Sequence, residues 1–152
     1  LAVVRLMELE KSVVEGAGAA PLAALLSGQL EELRGKRVAL LLCGGNIDLT
    51  ILTRLIDAAL VADGRLCRFT AQISDRPGGL ARLATLIAEV GGSVKEITHD
   101  RTFCGPNVAA VNVLCTVETR DHEHIAALYA RLTAAQATRV KLADAVAAGV
   151  LL

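Results

Sequence analysis

Two short turns hold the residues of this sequence that could do chemistry. The first is Asp75-Arg76-Pro77-Gly78-Gly79-Leu80. Glycines at a strand-to-helix turn let a ligand approach the backbone N–H groups at a helix N-terminus. That arrangement favours an anion such as a carboxylate. A plain turn that needs glycine for positive φ fits the same residues, and local chemistry does not separate the two. The second turn is Cys43-Gly44-Gly45-Asn46, which follows an apolar run and precedes a helical pattern. Open α/β sheets bind ligands at that carboxyl edge of their strands. A thiol beside two glycines could meet a flat heterocycle there. An inert buried cysteine in a tight strand-to-helix turn is the competing reading.

Other candidates are weaker. Gly16-x-Gly18 starts like a dinucleotide fingerprint, but position 21 is Pro21 where a glycine is needed. His122 and His124 are two apart on a helix, so they point to different sides and do not chelate one metal. Both are expected to be solvated. His99-Asp100-Arg101 reads as a surface charge cluster at a strand end. No nucleophile elbow is visible. The four cysteines, Cys43, Cys67, Cys104 and Cys115, are widely spaced and include no C-x-x-C. Zinc spacing is therefore absent, and no metal site is expected. Cys67 and Cys115 fall in strand-like runs, where buried free thiols are common. A reducing, cytoplasmic setting without disulfides follows.

Composition narrows the function classes. With 152 residues, 53% of them apolar, the chain can bury roughly two-thirds of its surface. Disorder needs low hydrophobicity and high net charge, and is excluded. No stretch of ~20 residues lacks a charge or a helix breaker, so no membrane span is expected. Net charge is zero; residues 1–64 carry 6 basic and 8 acidic groups, residues 65–152 carry 10 and 8. Nucleic acid is an unexpected partner, because neither part holds a dense basic patch. With no Trp, one Tyr and two Phe, there is no stacking platform either. The first residue is Leu1, not Met, and no secretory signal follows it. That start leads us to expect a fragment.

The elements that must position the two turns divide near residue 64. Residues 1–10 look helical and residues 11–15 look like a short strand. An Ala/Leu-rich helix follows to about Ser27, and residues 29–36 form a polar connection. Residues 37–42 (RVALLL) are apolar throughout, as in a strand buried on both faces of a parallel sheet. Asp48 then caps a helix to about Ala62, with Leu49, Leu52, Ile56 and Leu60 on one side. Two strands are too few for a stable sheet. The second part is self-sufficient. Residues 66–74 alternate, with Phe69, Ala71 and Ile73 inward. A helix follows with Leu80, Leu83, Ala84, Ile87 and Val90 on one stripe, stopped by Gly91-Gly92. Residues 93–102 form an imperfect strand, and Gly105-Pro106-Asn107 a turn. Residues 108–118 alternate with Val111, Val113, Cys115 and Val117 inward. Asp121 caps a helix carrying Ile125, Leu128 and Leu132, and residues 138–142 form the last strand. This β-α-β-β-α-β order is the ferredoxin-like split unit. Residues 143–152 are an unassigned tail.

In that frame the run ISDRPGGLARL at residues 73–83 resembles the opening of an ACT domain, and the resemblance covers about residues 65–142. Such domains pair sheets side by side and bind small amino acids near this loop. The resemblance implies a homo-oligomer and an amino-acid effector, such as isoleucine, valine or serine, contacted by Asp75, Gly78, Gly79 and Leu80. Glu96 or Thr98 from a partner's second strand would complete the site. Gly79→Val is expected to abolish effector binding while the domain still folds. The first part also has a likeness. VVEGAGAAPLAALLSG at residues 13–28 and VALLLCGGNIDL at residues 38–49 resemble the end of the catalytic domain of pyridoxal-phosphate threonine or serine ammonia-lyases (dehydratases). Regulated members carry an ACT domain after it. In that family the residue matching Cys43 hydrogen-bonds the cofactor's pyridine nitrogen, and Glu15 matches an acidic residue near the pocket. Gly44, Gly45 and Asn46 shape the turn.

The resemblance therefore implies an α/β chain. Residues 1–63 would be the C-terminal piece of a fold-type II catalytic domain, and residues 65–142 an ACT domain. The parent reaction would take threonine to 2-oxobutanoate and ammonia. Two of the family's motifs do not occur in these 152 residues: the Schiff-base lysine in its Ser-Phe-Lys context and the glycine-rich phosphate cup. Lys11, Lys36, Lys95 and Lys141 read as surface residues. Because this catalysis needs a covalent lysine, the chain alone is expected to be inactive and to hold no cofactor, whereas the full-length parent would bind pyridoxal phosphate. A stand-alone amino-acid-sensing protein without catalysis is the alternative, and a truncated remnant exposing apolar strand edges is a third.

Overall fold

A computed structural model describes residues 1–101, 109–135 and 140–142. The chain divides into two compact units, Leu1–Ala62 and the residues from Asp63 onward.

The first unit is helical: α1 (Ala2–Glu10), α2 (Gly16–Leu26), a single 3-10 turn at Glu31–Leu33, and α3 (Leu49–Ala62). Ala2, Val3 and Leu6 of α1 pack with Val14, Ala19 of α2 and Leu52 of α3. Asp48 begins α3 as expected. Its Oδ1 accepts the N–H groups of Thr50 at 2.8 Å and Ile51 at 3.2 Å, which satisfies two otherwise unpaired first-turn donors. The apolar face of α3 differs from the expected one. Leu52 and Ala59 are buried, Leu55 and Ile56 pack against the cluster, and Leu49 is 75% exposed.

Two expected strands do not form. Residues 11–15 and 37–42 carry no strand pairing. Val38 and Leu42 are exposed, and Leu41 is 80% exposed. The reason is pairing. A run that is apolar on both faces becomes a strand only when neighbours accept its backbone hydrogen bonds. Among the described residues of this unit there is no strand to serve.

In the second unit the expected order is observed: β1 (Leu66–Ser74), α4 (Gly79–Glu89), β2 (Ser93–Asp100), β3 (Ala110–Glu118), α5 (His122–Ala134) and β4 (Val140–Leu142). The sheet order is β2-β3-β1-β4, with every neighbouring pair antiparallel. β1 pairs β3 from Leu66↔Glu118 to Ser74↔Ala110 without a break. That register puts Phe69, Ala71 and Ile73 on one face with Val111, Val113, Cys115 and Val117, all buried. Leu83, Leu86 and Ile87 of α4 and Ile125, Leu128 and Leu132 of α5 complete this core. Phe69 meets Tyr129 edge to face, with ring centroids 5.9 Å apart. An Arg131–Glu89 ion pair of 2.6 Å joins the two helices at the surface.

Two expectations, for Leu80 and for His124, are corrected here, while the imperfect pattern expected of β2 is observed. Leu80 is 40% exposed, and Leu86 takes its place on the buried stripe of α4. β2 is an edge strand with a register shift between Val94 and Glu96, and only Ile97 packs on the core. An edge strand needs one apolar contact rather than a full alternating row, so its pattern is irregular. His124 is not solvated: it is 4% exposed. Its Nδ1 accepts the Arg120 N–H at 3.1 Å, so Nε2 carries the proton and donates to the Val90 carbonyl at 2.8 Å. Its own N–H donates to the capping Asp121 at 2.7 Å. Cys104, the expected turn at residues 105–107, residues 138–139 and the tail at 143–152 lie outside the described residues.

Candidate functional site

The two sequence blocks of the first unit meet at the Cys43 turn. The Glu15 N–H donates to the Gly44 carbonyl at 3.0 Å. Gly44 has φ +78°, and a side chain there would run into the Glu15 carboxylate. A Cβ on Gly18 would overlap the Cys43 carbonyl, and one on Gly45 would lie 3.2 Å from the Val13 carbonyl. Glycines at 18 and 44 are therefore what allows residues 13–18 to cross residues 43–45. Glu15, Cys43, Gly44 and Gly45 come together, while Asn46 is exposed and joins them only through the chain. Cys43 is exposed rather than buried.

This turn fits one edge of a flat heterocycle such as a pyridine ring. It offers an exposed thiol and glycine backbone, with the Glu15 carboxylate lying against Gly44. It does not fit a phosphate. The N-terminus of α2, joined to this turn through Glu15, has that acidic residue as its N-cap, where an anion would have to sit.

The second site is built by the junction of β1 and α4. The Asp75 N–H donates to the Ala109 carbonyl at 3.0 Å, which fixes the loop to the start of β3. Asp75 Oδ2 accepts Arg101 Nε at 2.8 Å. That hydrogen bond holds the Asp75 carboxyl below its usual pKa; desolvation opposes it, and the charges of Arg101 and His99 reinforce it. Gly78 caps α4 with φ +89°, and no side chain caps this helix. The Gly79 N–H donates to the Arg76 carbonyl at 3.1 Å. Its missing Cβ lets the helix start against the Ser74 carbonyl. Asp75, Gly78, Gly79 and Leu80 thus share one loop that offers a carboxylate, a guanidinium and a helix N-terminus. Such a set can hold a small zwitterion. Glu96 and Thr98 are on β2, and Glu96 Oε2 is 3.5 Å from Arg68 Nη2.

From the sequence, Arg101 reads only as part of a surface charge cluster. Its pairing with Asp75 spans 26 positions and depends on strand register, which no local pattern shows. Among the described residues, no group of three His, Cys, Asp or Glu could hold a metal ion, and no helix is long and apolar enough to cross a membrane.

The thiols differ sharply. Burial pushes Cys67 and Cys115 up to about 11, while Cys43 is exposed. Iodoacetamide at pH 8 on the native chain should therefore label Cys43 and spare Cys67 and Cys115, because only a thiolate reacts. Peptide mass spectrometry checks this. Equal labelling of Cys67 would contradict the packing.

No protein-family model matches the chain. Among curated proteins, it is 46% identical to the L-threonine ammonia-lyase of Geobacter sulfurreducens over 125 residues, 82% of this chain and 31% of that protein. It is 36% identical to the L-threonine ammonia-lyase of Thermotoga maritima over 124 residues, 82% of this chain and 30% of that protein. A shorter match of 61 residues, 48% identical, joins it to the L-threonine dehydratase catabolic TdcB of Staphylococcus aureus, covering 38% of this chain and 18% of that protein. Over 82% of its length, then, the chain is similar to proteins named L-threonine ammonia-lyase, and it spans about 30% of theirs.

Proposed function

We propose that this chain carries the end of the catalytic domain and the ACT regulatory domain of a threonine ammonia-lyase, acting on L-threonine to give 2-oxobutanoate and ammonia in the cytoplasm. One observation carries this reading: the similarity runs through both units. A 125-residue match in a chain of 152 leaves fewer residues outside it than either unit contains, so it draws on both.

In the whole protein, Cys43 would face the ring nitrogen of pyridoxal phosphate. The cofactor supplies the electron sink for loss of the β-hydroxyl. Cys43 would give that nitrogen a thiol hydrogen bond rather than a carboxylate, which would suit an elimination that does not need the full sink. Gly44, Gly45 and Asn46 would shape the turn beside the ring, and Glu15 braces that turn through its backbone bond to Gly44. In this reading the covalent lysine and the phosphate cup would come from outside these 152 residues. The chain alone is thus a regulatory and supporting part.

The loop at Asp75, Gly78, Gly79 and Leu80 is the effector site in this reading. A small amino acid would set its ammonium on Asp75 and its carboxylate on the N–H groups that open α4. A second copy would pair along β2, an edge strand of the sheet, bringing Glu96 or Thr98 to the ligand. Binding would bias two arrangements of the paired domains.

Calorimetric titration of the chain with L-isoleucine, L-valine and L-serine tests this regulatory part. At least one should bind, with affinity lost about tenfold or more in Asp75→Asn, which cannot pair with an ammonium. Absence of heat with all three would contradict it. A second reading, an amino-acid-sensing protein without catalysis, is favoured by one observation: the second unit closes a full core on its own, from Cys67 to Leu132.

A further inference from the structure

Asp75 and Arg101 sit just beyond the ends of two strands that are not neighbours. β3 lies between β1 and β2 in the sheet. Ser74, before Asp75, pairs with Ala110 at the start of β3, and Asp100, before Arg101, pairs with Asn112. The Arg101 side chain therefore crosses the start of β3 to reach Asp75 Oδ2 at 2.8 Å. The Asp75 backbone is anchored on the same strand start through Ala109. This is a clasp over one sheet end, at the loop that leads into α4.

The clasp does two things to the loop. It holds the Asp75 carboxylate in one orientation through Oδ2, and a carboxylate keeps a second oxygen with which to accept an ammonium. It also offsets the Asp75 charge. A lone carboxylate four residues before the start of α4 would repel any anion drawn to that N-terminus. Paired with Arg101, it presents both signs within one short loop, with Arg76 and His99 as the further basic groups beside it.

We propose that Arg101 is a positioning residue of the effector loop, offsetting the Asp75 charge so that the loop takes a zwitterionic amino acid in preference to a purely cationic analogue. This rests on the effector reading given above. Arg101 touches Asp75 and acts through it.

The test is calorimetry on the full chain with L-isoleucine, L-valine and L-serine, and with the methyl ester of whichever binds. The ester keeps the ammonium and loses the carboxylate charge. Arg101→Gln should weaken the free amino acid about tenfold and leave the ester within about twofold, the scale of one charge-assisted interaction. Arg101→Lys should restore most of the loss, because it returns the charge. The thermal midpoint should hold in both variants, since an exposed ion pair contributes little stability. Undiminished binding of the amino acid by Arg101→Gln overturns the proposal. So does equal loss of acid and ester, which marks a merely structural role. If the unaltered chain binds none of the three amino acids, the effector reading fails and this inference fails with it.

Discussion

Gly79→Val should strongly destabilise the second unit rather than leave its fold untouched. Gly79 is the first residue of α4, and a Cβ there would overlap the carbonyl oxygen of Ser74, the last residue of β1. A backbone oxygen cannot rotate away as a side chain can. Relief requires α4 to lift from the end of β1, and that opens the core where Ile73 is buried. Overpacking against backbone should cost about 3 kcal/mol, a large share of the stability of a domain this small. Gly78→Ala is the useful contrast. Nothing lies within 4 Å of the added carbon, so its cost is only that of φ +89°, roughly 1 kcal/mol. Urea unfolding of the two variants checks the ranking. An unshifted midpoint for Gly79→Val would show that the strand end yields freely. The expectation that this variant folds and only loses ligand is therefore replaced: Asp75→Asn, which changes one side chain of the loop and no backbone contact, separates binding from folding.

The second large effect is alkaline. Cys67 and Cys115 sit in the shared core of β1 and β3, 1% and 0% exposed. Desolvation of the thiolate raises both to about 11, and burial raises Tyr129 to about 12. The sign follows from linkage. Each folded value lies above its unfolded value, so the neutral form is the one the fold holds. The associated stability is complete below the unfolded thiol value, near pH 9, and is lost as pH climbs through 11. Raising a thiol from near 9 to about 11 corresponds to about 2–3 kcal/mol for each cysteine. Ionising one thiol opens the core to the other, so unfolding should be cooperative. Circular dichroism followed from about pH 8 to roughly pH 11.5, a range that brackets the folded and unfolded thiol values, should show loss of the second unit's structure. Replacement of both cysteines by alanine should weaken the fold at neutral pH but flatten its dependence above pH 9. A dependence that stays as steep in that variant would assign it to other groups.

How much is legible in the residues depends on where the stabilising partner lies. β1 and β3 are readable because period-two alternation marks a strand with one buried face, and their neighbours are close in this chain. The Asp48 and Asp121 caps are readable because a cap is made within three residues. Residues 37–42 carry an equally strong apolar signal, yet they form no strand here. The pattern reports an ability to be buried on two faces, whereas pairing depends on other segments. For His124, the question of chelation with His122 hides the better clue. Its spacing with Leu128 and Leu132, four and eight residues on, places it on the buried stripe of α5. The role of Arg101 is not legible from spacing at all, since its partner Asp75 is reached across a third strand. The turn residues are legible by type. What the structure adds is why they are glycines: Gly18 against the Cys43 carbonyl, Gly44 beside the Glu15 carboxylate, and Gly79 on Ser74.

As proposed above, this chain would complete a threonine ammonia-lyase. The most direct test is a keto-acid assay on the product of the complete reading frame that encodes it, with the 152-residue chain assayed beside it. The complete product should give 2-oxobutanoate from L-threonine at a rate altered by the amino acid that binds the Asp75 loop, and the chain alone should give no keto acid. No 2-oxobutanoate from the complete product, with or without that amino acid, would rule out the lyase and favour an amino-acid-sensing protein without catalysis.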